Sequence, residues 1–129
     1  MNKILVEVSV GELLDKISIL EIKSEKIKDP EKLNFINDEY KILKDQLNTN
    51  IKNYSEIESL YNSLKEINSK LWVIEDDKRL CEKNSDFGEK FIKLSRDVHF
   101  LNDDRAKLKL EINNKTGSKI KEIKEYTKY

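Results

Sequence analysis

The chain is poor in the residues that usually carry chemistry or interrupt helices: 129 residues hold one cysteine, one histidine, one tryptophan, one proline and three glycines. A single cysteine, Cys81, offers no disulfide framework within the chain, and at an apolar position it behaves as a small hydrophobic residue. A single histidine, His99, excludes a histidine-based metal cluster. Glycine-rich phosphate loops and a G-x-S-x-G nucleophile turn are absent, since Gly11 and Gly88 stand alone at helix starts and Gly117 at a helix end. Charge of one sign is also missing, with 25 basic against 25 acidic residues. No surplus exists to neutralise a phosphate backbone or an anionic membrane, so nucleic acid and membrane are not expected partners. Long apolar runs are missing too: ILVEVSVGELL is broken by Glu7, Ser9 and Glu12, unlike a secretory signal, and nothing approaches the ~18 residues of a membrane span. A cytoplasmic protein with a single domain over residues 1–129 is the expectation.

What the chain does contain is charge and helix-forming residues. Charged residues make up 39% and hydrophobic ones 37%, which favours long, solvent-washed helices. Lys, Asn and Ile total 49 residues, the bias of an AT-rich genome, and against 22 Lys there are three Arg: Arg79, Arg96 and Arg105. Residues 4–8 are β-branched and too short for a helix, and predict a strand. Ser9-x-x-Glu12 is a capping box opening a helix over about 10–28, and Asp29-Pro30 ends it and starts another over about 30–47. Ser55-x-x-Glu58 predicts a third helix over about 56–83. The NSDFG break leads to a fourth over about 87–115, closed by Thr116-Gly117. The tail, 118–129, is the only other strand-like segment, and is expected to pair with 4–8.

Period separates core from surface. Steps of three and four place Leu13, Ile17, Leu20, Ser24 and Ile27 on one line, then Leu33, Ile36, Tyr40, Leu43 and Leu47 on the next. The third line is Ile57, Leu60, Leu64, Ile67, Leu71, Ile74, Lys78 and Cys81; the fourth is Phe87, Phe91, Leu94, Val98, Leu101, Arg105, Leu108 and Ile112. Only Ser24, Lys78 and Arg105 break the pattern among these 26 positions. Four heptad seams with further apolar residues beside them predict an all-α, antiparallel four-helix bundle of coiled-coil-like hairpins, with a minor pair of terminal strands.

Candidate functional residues gather along the long hairpin. Folding the third helix on the fourth about residues 85–86 brings Arg105 level with Glu66, Asn102 with Ser69, His99 with Trp72 and Arg96 with Glu75. Trp72, Glu75, Asp76, Arg79, Arg96, His99, Asn102, Asp103 and Arg105 form the candidate ligand-binding set. One reading makes the arginines bidentate partners of Glu75, Glu66 or an acidic residue of the first helix, fixing register. On that reading Arg105→Met should cost little stability. A second reading makes the set a site for a small anionic metabolite or nucleotide, as binder or enzyme. Mg²⁺ would enter only if the acidic pairs of EDD and NDD were completed by Glu12, Asp15, Glu21 or Glu25; no cofactor or metal is predicted.

Three blocks, VSVGELLDKISILEIKSEKIKDPEKLN, LWVIEDDKRLCE and DFGEKFIKLSRDVHFLNDDRAKLKLEIN, together resemble a family of small, uncharacterised bacterial helical proteins, a domain of unknown function. The resemblance covers most of the chain outside the loop at 48–56 and the tail, and departs from the family pattern at Lys78 and His99. It implies no activity, substrate or cofactor. The expectation is a non-enzymatic protein-interaction or assembly module with a homodimer or other protein partner, because seams of the long hairpin extend past what the first two helices can cover.

Overall fold

The computed structural model describes residues 2–129. The fold is all-α: α1 Val10–Lys26, α2 Pro30–Asn50, α3 Glu58–Lys83 and α4 Glu89–Thr116, with a short 3₁₀ turn, Tyr54–Glu56, before α3. α1 packs against the other three helices and α3 against α4, whereas α2 closely approaches α1 alone. The helices therefore gather around α1.

Local chemistry sets the helix ends. Ser9 caps α1 by accepting the Glu12 N–H at 3.0 Å, and Asp29 caps α2 by accepting that of Glu31 at 3.0 Å, with Pro30 in the first turn. α2 runs three residues past the expected Leu47, its last turn supported by Asn50 Nδ2 donating to the Gln46 carbonyl at 2.8 Å. The Ser55 capping box does not form. Residues 54–56 make the 3₁₀ turn instead, burying Ile57 and setting the Tyr54 ring 6.2 Å from Tyr61, so α3 starts at Glu58. α3 closes through Ser85, at φ 54°, with Asp86 N–H donating to the Cys81 carbonyl at 2.8 Å. α4 closes the same way through Gly117, at φ 66°, a conformation glycine adopts without strain.

The expected terminal strand pair is not formed among the described residues. The tail is held along α4 instead: Lys109 Nζ meets Glu122 Oε2 at 3.3 Å, and the Tyr129 hydroxyl donates to Asp103. Residues 4–8 remain exposed.

Core position follows from helix length. At 1.5 Å per residue α1 is about 25 Å long, and α3 and α4 about 40 Å. The buried cluster, Leu14, Ile17, Leu47, Ile57, Tyr61, Leu64 and Ile112, lies where α1 reaches. Beyond it the hairpin continues with Asn68, Leu71 and Cys81 buried among the described residues, and the seam Lys78 lies 5.8 Å over the Phe91 ring on the facing helix.

Candidate functional site

The most elaborate polar arrangement lies at the junction of α1, α3 and α4, centred on a carboxylate with 2% exposure, Asp15. Arg105 approaches it as a two-pronged fork: Nε donates to Oδ1 at 2.9 Å and Nη2 donates to Oδ2. Asn68 Nδ2 donates to Asp15 Oδ1 at 2.9 Å and to Ser18 Oγ at 2.8 Å. Ser18 Oγ in turn donates to the Asp15 carbonyl at 2.8 Å. Lys109 completes the group, 2.7 Å from Glu12 Oε2 and 3.9 Å from Asp15 Oδ2.

Charge balance in this junction keeps the acid ionised. Burial alone would raise the Asp15 carboxyl, but hydrogen bonds from Arg105 and Asn68 and the nearby charges of Arg105 and Lys109 outweigh it, so Asp15 stays below the ordinary carboxylate value. The Asp15 hydrogen bond raises Arg105 further, against its own burial. A buried carboxylate is tolerable only when its lone pairs are occupied, and here α3 and α4 supply the donors to an acid carried by α1.

Immediately beside it, backbones touch. A Cβ on Gly11 would stand 2.5 Å from the Lys109 carbonyl oxygen, so α1 crosses α4 there with no room for a side chain. Asn113, 2% exposed, accepts the Gly11 N–H at 2.7 Å, and Ser118 Oγ accepts that of Val10 at 3.3 Å. With Ser9 accepting from Glu12, the first-turn amides of α1 are met by protein groups.

The nine candidate residues are not brought to one place. Arg105 joins Asp15, an acidic residue of the first helix, and not Glu66 or Glu75. Arg79 pairs with Glu75 one turn away at 3.3 Å on the exposed surface of α3. Arg96 stands 5.9 Å over Phe100, and His99 lies between the Phe100 and Tyr129 rings, at 4.6 and 5.3 Å. Asp103 receives Tyr129. The side chains of Trp72, Asp76 and Asn102 make no hydrogen bond or ion pair among the described residues.

The acids of helix 1 that a metal would need face cations: Glu12 meets Lys109, Asp15 meets Arg105, and Glu21 and Glu25 meet Lys65. Among the described residues no three His, Cys, Asp or Glu side chains converge. Two concave features are a shallow groove of about 390 Å³ along α4, lined by Glu89, Ile92, Lys93, Arg96, Asp97 and Phe100, and a crevice of about 200 Å³ between α4 and the tail.

Sequence reasoning found Arg105; Asn68 heads the polar stripe of Trp72, Glu75 and Arg79 but stood outside the candidate set, and Ser18, Lys109 and Asn113 were missed. A signal was present: Gly11, Asp15 and Ser18, small or polar, are spaced 4 and 3 apart beside the leucine seam and continue four residues on to Ile22, and all four are buried.

The model of a family of unknown function, DUF6165, matches residues 4–129. The chain belongs to the DUF6165 family. The match spans the α1 stripe, the Arg105 fork and the tail alike, so in this DUF6165 chain junction and hairpin form one family unit. No curated protein and no solved structure matches it. No helix among the described residues is long and apolar enough to cross a membrane.

Proposed function

We propose that this protein is a non-enzymatic assembly module that buries the distal half of the α3–α4 hairpin against another polypeptide. The observation that carries the reading is exposed apolar surface: Val73, Leu80, Phe87, Ile92 and Phe100 are 40–55% exposed. Scattered apolar side chains are ordinary on a surface, but these follow one pair of long helices, and of the five only Phe100 meets the tail, through the Tyr129 ring at 5.4 Å.

The surface also carries balanced charge. Along the α4 groove Glu89 and Asp97 bracket Lys93 and Arg96 beside Ile92 and Phe100. A partner fitting this pattern presents an apolar helical stripe edged by both signs of charge, and the simplest is a second copy. The competing reading, a small-anion site built on the arginines, is weakened because Asp15 occupies Arg105 and Glu75 engages Arg79.

Sedimentation velocity on the full chain from low to high micromolar concentration tests the proposal, beside a Leu80→Glu, Ile92→Glu double variant. The expected result is a mass that rises above the monomer in the wild type and rises less in the variant. A wild type that stays monomeric throughout contradicts it.

A further inference from the structure

Residues 4–8, Ile-Leu-Val-Glu-Val, have the composition of a strand, yet the structure gives them no partner. Ile4, Leu5, Val6 and Val8 are 85, 81, 72 and 41% exposed. Among the described residues the backbone N–H and C=O groups of residues 3–8 make no hydrogen bond. An open strand edge of this kind is a template for another chain. It is also firmly rooted, since Ser9 caps α1, Gly11 is pressed on Lys109, and Val10 N–H reaches Ser118. The nearest segment able to pair with it, the tail, is laid on α4 by Glu122 and Tyr129.

We infer that this segment pairs antiparallel with the same segment of a second copy, across a two-fold axis at Leu5. The inference rests on the assembly reading and adds to it a contact at the end of the molecule away from the hairpin tip. Its basis is the charge pattern. With the axis at Leu5, Lys3 of each copy stands opposite Glu7 of the other, Leu5 faces Leu5, and Ile4 faces Val6. With the axis at Val6 instead, Glu7 would face Leu5 and Lys3 would face Ser9, leaving both charges without directly opposed partners. Side chains alternate along a strand, so Ile4, Val6 and Val8 share the opposite face. That face is apolar in both copies and closes against the helices, because a two-stranded ribbon alone is barely stable in water.

The test uses the full chain and four variants. Sedimentation velocity is run on the wild type, Lys3→Glu, Glu7→Lys and an equimolar mixture of those two. Each single change turns two attractive cross-strand pairs into two repulsive ones, and should weaken self-association about tenfold or more. In the mixture every acidic strand meets a basic one, so association returns to near the wild-type value. Under oxidising conditions Leu5→Cys should give a disulfide-linked dimer and Val6→Cys should not; Cys81 is buried and does not compete. An infrared strand band that grows with concentration should accompany the dimer. If the two charge variants associate as the wild type does and the mixture gains nothing, strand pairing is overturned while the hairpin reading stands. A wild type that remains monomeric overturns both.

Discussion

The two halves of the α3–α4 hairpin are built from similar residues and end in different environments. In the proximal half α1 lies in the groove, so Arg105 meets a buried carboxylate and Asn113 holds the backbone of Gly11. In the distal half nothing lies in the groove, so Arg79 and Arg96 stay in water, on Glu75 and Phe100. The same residue type is thus structural in one place and surface in the other: Arg105 sits in a seam at a level α1 reaches, whereas Arg79 and Arg96 lie off the seams and stay exposed. An arginine in a heptad seam says little until the helix that covers it is known.

The comparison can be broken most severely from the proximal side. Asp15→Ala leaves the Arg105 fork and the Asn68 amide without their acceptor. Because the Arg105 side chain keeps 29% exposure and can recover some hydration, a loss of about 3 kcal/mol is expected, at the lower end for broken buried pairs. Urea unfolding would measure it as a shift in midpoint without a change in slope. Gly11→Ala forces α1 away from α4 and should cost about 1–3 kcal/mol, the range for overpacked contacts. A stability equal to wild type would mean that the α1–α4 approach is looser than the 2.5 Å placement implies.

Acid should separate the halves next. The Asp15 carboxyl is lowered on folding, so its contribution is fully present above the unfolded carboxylate value of about 3.9 and is lost as pH falls through the folded value. Stability followed from neutral pH to about pH 3 should therefore fall less in Asp15→Asn than in the wild type. The smallest effect belongs to the distal surface. Arg79→Ala breaks a pair whose side chains are 74 and 48% exposed, and should change stability by about 0.5 kcal/mol or less.

Much of the fold was legible from residues alone, and the gaps have physical reasons. Four helices follow from their seams, and the Ser9, Asp29 and Gly117 boundaries from cap chemistry. The Ser55 cap failed because burying Ile57 and stacking Tyr54 near Tyr61 gain more than one N-terminal hydrogen bond. The strand pair failed because the tail has ion-pair and aromatic partners along α4, a tertiary choice that local composition does not reveal. For the site, an acidic residue of the first helix was among the expected partners of Arg105. Asn113 stayed hidden, and Asn68 stayed outside the candidates, because asparagine on a helix in an asparagine-rich chain carries no local mark. The expectation that Arg105→Met costs little also changes: with Asp15 left behind, buried and short of its main cation, the single substitution should be costly.

A double-mutant cycle on Asp15→Leu and Arg105→Met, read by urea unfolding, tests most directly whether Arg105 holds the fold together. Each single variant should lose about 2–4 kcal/mol, by stranding the other partner, and the double variant should recover at least about half of the summed loss, since an apolar pair can replace a buried ion pair. Additive losses, or an Arg105→Met single variant as stable as the wild type, would contradict the structural role and return Arg105 to the candidates for ligand binding.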